Sequence, residues 1–161
     1  LEKKLKKKKV PKPVKRLIEE HLKEGKRFLL FVPRITLLGP IEAALRRQFP
    51  NAKFETVSSK ELYRQERIAK MRVGELDFLV TTTILERGVT FPGVDVCVIN
   101  AHEEEFSREV LVQIAGRVGR TAGCPTGEVV YFHNGKTKAM VQAVREIEDL
   151  NRQALLGRKG K

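Results

Sequence analysis

The chain has 161 residues, of which 41% are hydrophobic and 32% charged, and its formal charge is +12. These values exclude disorder throughout and suit one domain with a real core. No window holds the roughly 18 consecutive apolar residues of a membrane span. Cys97 and Cys124 make neither a metal knuckle nor a disulfide framework, which points to a reducing cytoplasmic setting.

The charge is unevenly placed. The first 16 residues hold nine Lys or Arg against Glu2 alone, so +8 of the total lies there. The run through Lys9 reads either as an arm that neutralises phosphates or as a solvated linker. Residues 1–10 are therefore set apart as a basic linker or tail. The opening on Leu1 rather than Met, with no apolar run after the lysines, argues against a signal peptide and for a piece of a longer protein.

Residues 11–24 carry Val14, Leu17, Ile18 and Leu22 at helical spacing, with Pro11 at the start and Gly25 as a stop. Residues 27–32 read as an apolar strand closed by Pro33, and 40–48 as a helix with Ile41, Ala44 and Leu45 on one face. The unit repeats: a strand over 53–57, a helix over 60–73 with Leu62, Ile68 and Met71 inward and Gly74 as its cap, then a strand over 78–82. A strand over 94–99, a helix capped by Ser107 and running to Val118, a strand over 128–133 and a long helix over about 136–155 follow. Residues 157–161 are expected to fray, which leaves 11–156 as the domain.

Five apolar strands joined by segments too long for hairpins imply parallel crossovers. The expected architecture is α/β, a doubly wound and mainly parallel sheet with helices on both faces. Ligands in such sheets bind beyond the carboxyl ends of the strands, where residues 33–36, 58–59 and 81–83 fall.

The strongest chemical signal is Gln113-Ile114-Ala115-Gly116-Arg117-Val118-Gly119-Arg120. Two arginines three apart share one helical face, and the glycine before each leaves room for another backbone or a ligand. Planar guanidinium groups suit the spread charge of a transferring phosphoryl group, as an arginine finger requires. A surface ion pair at a helix end is the competing reading. The second signal, TTTILERGVTFP over 81–92, puts a hydroxyl cluster at a strand end ahead of Gly88; hydroxyls and amides there can hold a nucleic-acid phosphate.

Residues 113–120 resemble motif VI of superfamily 2 helicases and residues 81–92 resemble motif V, in that order. Phe31-Val32-Pro33 resembles motif IV, and Ser58-Ser59 followed by Arg64 to Arg67 resembles the loop and helix between motifs IV and V. The likeness covers residues 26–133. With VQIAGRVGR and YFHNGKTKAM, the wording is most similar to the ComFA family of late competence ATPases, which drive DNA uptake, with PriA-like and RecG-like helicases as alternatives. The resemblance implies a second RecA-like domain of helicase C-terminal type. It implies catalytic roles for Arg120 as the finger, Arg117 and Gln113, acting on ATP and Mg²⁺ held mainly by a separate first domain of the same chain. It places Gly88, Thr90 and Gly116 at the nucleotide, with Thr90 where many RNA helicases carry an Asp. Thr81, Thr82, Thr83, Arg34 and Ser59 would contact single-stranded DNA through its backbone. Other DNA-uptake proteins are implied partners, and any membrane association would run through them at its inner face.

Several patterns are decoys. Gly135-Lys136-Thr137 ends like a phosphate loop, but Val130 stands where the loop's first Gly is needed; a turn with Thr137 as helix cap is expected. His102-Glu103-Glu104-Glu105-Phe106 has Phe106 in place of a second zinc-binding His and reads as a solvated acidic loop. No metal is expected in this chain, and His21 and His133 read as surface or satisfied core residues. Two further classes compete with a motor domain: a non-catalytic nucleic-acid binding module, and a small-molecule α/β enzyme. The latter lacks both a nucleophile and a Gly-rich loop after the first strand.

Overall fold

The computed structural model describes residues 4, 6–58, 63–82, 91, 94–116 and 128–159, with residues 150–159 described by backbone alone. The elements are α1 (Lys12–Glu24), β1 (Phe28–Phe31), α2 (Leu38–Gln48), β2 (Phe54–Val57), α3 (Arg64–Arg72), β3 (Phe78–Thr81), β4 (Asp95–Val98), α4 (Arg108–Gly116), β5 (Val129–Tyr131) and α5 (Lys138–Lys159). The five strands form one sheet in the order β2-β3-β1-β4-β5, and every neighbouring pair is parallel.

Two apolar layers follow from the period of two along each strand. Phe28, Leu30 and Val32 pack with Val14 and Ile18 of α1 and with Ile41 and Leu45 of α2. Leu29 and Phe31 turn to the opposite face, against Ile68 and Met71 of α3, Leu111 and Ile114 of α4, and Met140 and Ala143 of α5. Because β1 lies mid-sheet and is covered on both sides, all four of its residues are buried, which is why its sequence is uninterruptedly apolar. The register sets Phe78 between Phe28 and Phe54, so the three rings stack at 4.7 and 4.8 Å.

Local chemistry fixes the helix ends. Gly25 takes φ 69, and its N–H turns back to the carbonyls of the last turn of α1. Gly74 takes φ 85 after α3. The hydroxyls of Ser107 and Thr137 accept from the N–H groups of Val110 and Met140 at 3.2 Å each, the caps expected for α4 and α5.

Several boundaries differ from the sequence reading. A 3-10 turn over Ile35–Leu37 leads straight into α2, which starts two residues early. The α3 helix begins at Arg64, and residues 60–62 of the expected helix lie outside the described residues, as does Val118 at the end of the fourth. The final helix continues through Gly157 to Lys159, into the stretch expected to fray. One glycine costs a helix about 1 kcal/mol, which does not stop a helix of this length.

The α1 helix lies along the amino edge of the sheet. At its start the Val10 N–H donates to Gln48 Oε1 at 2.8 Å, at the end of α2; near its finish His21 Nε2 sits 2.7 Å from Asp95 Oδ2, at the start of β4. Among the described residues, no helix is long and apolar enough to cross a membrane.

Candidate functional site

In-register pairing lines up Val57, Thr81, Phe31, Val98 and Tyr131 as the last row of the sheet, so the segments that follow them share its carboxyl edge. The Thr81 side chain is fully buried, and its hydroxyl donates to the Thr82 carbonyl at 3.3 Å. Thr82 is 3% exposed, and its buried Oγ1 has no hydrogen-bond partner among the described residues. Ser58 is buried beside them at the end of β2. These hydroxyls form the floor of the carboxyl edge. Ser59, Thr83, Gly88 and Thr90 lie outside the described residues.

Arg34 follows β1 and reaches across to the segment after β4. Its Nη1 donates to Glu103 Oε1 and lies 3.4 Å from Glu105 Oε2. The second Glu103 oxygen accepts from Asn100 Nδ2 at 3.0 Å, and Asn100 itself holds φ 55 in the left-handed region that Asn tolerates well. Burial would push the Glu103 carboxyl up, but hydrogen bonds from Arg34 and Asn100 together with the Arg34 charge bring it below its usual value. The Glu103 hydrogen bond correspondingly raises Arg34. His102 Nδ1 accepts the Asn134 N–H at 3.1 Å, which ties the same loop to the segment after β5.

The 102–106 segment is therefore not the solvated acidic loop expected from its composition. Two of its carboxylates hold Arg34, and Phe106 is buried in the layer beneath α4. Sequence reasoning missed Asn100, Glu103 and Glu105 as members of this edge. The available signal was positional: acidic residues directly after a strand whose carboxyl end neighbours an arginine. In this conformation a phosphate reaching Arg34 would have to exchange with carboxylates.

The α4 helix rises from Ser107 with Leu111, Ile114 and Ala115 buried, which leaves Gln113 exposed on its outer side. Arg108 links it to α5 through Glu146 at 3.7 Å. Among the described residues, a Cβ added at Gly116 would meet nothing within 4 Å. Arg117 and Arg120 lie beyond the described residues. Of the described candidates, Arg34, Thr81 and Thr82 share the carboxyl edge, and Gln113 and Gly116 lie on α4.

A five-stranded parallel sheet wound on both faces, with its polar row at the carboxyl edge, is the RecA-like domain of helicase C-terminal type. Solved structures agree in fold: domain 2 of a DEAD-box helicase bound to an RNA duplex matches with a TM-score of 0.62 at 22% identity, over 85% of this chain and 53% of that one. The helicase domain of Hef from Pyrococcus furiosus matches with a TM-score of 0.56 at 22% identity, over 77% of this chain and 25% of that one. The chain belongs to the helicase conserved C-terminal domain family, whose model matches residues 10–122. It is similar to the competence protein ComFA of Bacillus subtilis, 43% identical over 94% of this chain and 32% of that protein. The ComFA protein of Streptococcus pneumoniae is 42% identical over 88% of this chain and 33% of its own length. The chain thus spans about a third of the curated relatives it matches.

Proposed function

We propose that this chain is the second motor domain of an ATP-dependent single-stranded DNA translocase that serves DNA uptake during competence, and that it works against a first RecA-like domain of the same protein. The supporting observation is the family match over residues 10–122, which takes in Arg34, the 81–90 segment and the whole 113–120 run within one domain. The similarity to ComFA proteins supports the narrower reading. Hydrolysis of Mg²⁺-bound ATP on the first domain supplies the free energy.

The described residues fit such a neighbour. Gln113 is exposed, and among the described residues nothing lies within 4 Å of where a Cβ at Gly116 would stand, although a glycine there costs helix stability. A facing domain can approach closely at that point. In this reading Arg120 and Arg117, which follow Gly116 in the chain, bring guanidinium charge to the γ-phosphoryl oxygens, and Gln113 orients the attacking water. Gly88 and Thr90 line the nucleotide cleft together with Gly116. Thr83, Ser59 and Arg34 meet the tracked strand through its phosphates, with the buried Thr81 and Thr82 supporting that edge from within, which makes binding tolerant of sequence and sensitive to salt. Closure and reopening between the domains then move the strand contacts in steps.

The test is ATP turnover, measured as phosphate release with and without single-stranded DNA, in the longer protein and in its Arg120→Ala variant. The variant is expected to retain strand binding and to lose turnover by about 10³-fold or more, the scale of an arginine finger. Undiminished turnover would sink the finger assignment and favour a non-catalytic binding module.

A further inference from the structure

The lysine run at the start of the chain, open in the sequence between a free linker and a phosphate-binding arm, is held in place. Lys7 and Lys9 donate their N–H groups to the Lys4 carbonyl at 3.1 and 3.0 Å, which closes a turn with Lys8 at φ 55. Arg47 Nη1 donates to the Lys7 carbonyl at 3.1 Å, and the bond from the Val10 N–H to Gln48 Oε1 fastens the exit of the turn to the end of α2. Val10 itself is 3% exposed and belongs to the core layer of α1 and α2. A solvated linker would need none of these contacts.

Their consequence is a concentration of positive charge. Lys4, Lys6, Lys7, Lys8 and Lys9 are all exposed, beside the exposed Arg46 and Arg47. Among the described residues none of the five lysines has a carboxylate partner, and Glu42, the acidic residue of α2, is taken up by Arg46 at 3.1 Å and by Thr56. Like charges repel at such spacing, and a free chain would let them diverge. Here a left-handed lysine and four hydrogen bonds keep them together, so an anionic ligand would relieve repulsion that the fold sustains. The turn lies at the end of α2, on the amino edge, away from the carboxyl edge that carries Arg34 and the threonines.

We infer that this turn, with Arg47, is a second binding site for the phosphate backbone of nucleic acid, separate from the track at the carboxyl edge. Lysines act on phosphates as point charges and read no bases, so the site accepts any sequence and either a single strand or a duplex. A polyanion with closely and regularly spaced charges matches a cluster of this density. The choice of nucleic acid over another polyanion rests on the motor reading above; the location of the site does not. A segment held there would keep DNA attached while the carboxyl-edge contacts release and rebind, which a stepping motor requires.

The experiment compares this chain with a variant carrying Lys6→Gln, Lys7→Gln, Lys8→Gln and Lys9→Gln, and with Arg34→Ala. Binding of fluorescently labelled single-stranded and duplex DNA is measured by anisotropy across a salt series, with phosphatidylserine vesicles as the other anionic surface. Each phosphate contact contributes about 0.7 to 0.9 to the slope of log affinity against log salt. The lysine variant is expected to flatten that slope by about 3, against at most about 1 for Arg34→Ala. In the absence of any ligand, thermal stability of the unaltered chain should rise with added salt more than that of the lysine variant. An unchanged slope in a lysine variant that melts like the unaltered chain overturns the site, and so does binding to vesicles with none to DNA. Turnover that survives Arg120→Ala would overturn the finger assignment and leave this result standing.

Discussion

The β4 strand is clasped at both of its ends, and the two clasps differ in what they hold. At the amino end Asp95 directs one oxygen to His21 Nε2 at 2.7 Å and accepts the Glu128 N–H on the other at 2.9 Å, with the His21 and Asp95 side chains 14% and 18% exposed. Every partner there is a fixed part of the fold: the other ring nitrogen of His21 lies 2.9 Å from the Leu17 carbonyl, and its ring packs on Phe28. At the carboxyl end Glu103 and Glu105 hold Arg34, whose side chain is 34% exposed and whose charge matches a phosphate as well as it matches a carboxylate. One clasp closes the sheet. The other is open enough to water for its partners to exchange, and it shares the carboxyl edge with Thr81 and Thr82.

The largest effect should come from the amino end. Asp95→Ala leaves His21 without its acceptor in a largely buried place and the Glu128 N–H without one at a more exposed position, and is expected to cost about 2 to 3 kcal/mol in urea unfolding. A loss below about 0.5 kcal/mol, the scale of an exposed pair, would erase the distinction between the two clasps. Arg34→Ala is the matching variant at the other end. Its ion pairs are more open to water, so it should cost no more than about 1 kcal/mol. If it destabilised the chain as much as Asp95→Ala, Arg34 would be a structural brace and its place among the strand contacts would fall.

The sheet was legible because a parallel sheet covered on both faces needs nearly continuous apolar strands, and residues 28–31, 78–81 and 95–98 supply them. The helix ends were legible wherever a single residue type sets the geometry, as at Gly25, Ser107 and Thr137. Strand order was not, because pairing β1 with both β3 and β4 depends on contacts distant in the chain. The Arg34 clasp was hidden for the same reason. Local composition reads Glu103 and Glu105 as solvated, and only the register of β1 beside β4 brings them to an arginine about 70 positions earlier. The lysine run shows the converse. Its charge was plain, but its attachment rests on Val10, Arg47 and Gln48, whose types carry no signal for it.

The smallest and most diagnostic effect is that of acid on the exchangeable clasp. The folded Glu103 carboxyl lies below its usual value, because Arg34 and Asn100 hydrogen-bond it and Arg34 and His102 add positive charge, against burial that acts the other way. Glu105 faces the same guanidinium. Below the ordinary glutamate pKa of about 4.3 the unfolded chain therefore binds protons at this residue that the folded chain does not. The stabilising contribution is complete above that value and fades as pH falls through the lowered folded pKa. Urea unfolding near pH 7 and again near pH 3.5 should show the gap between the unaltered chain and Arg34→Ala narrowing in acid. A gap that stays constant would mean that Arg34 stabilises the loop by packing alone, and the carboxylates would then have no part in holding it away from a phosphate.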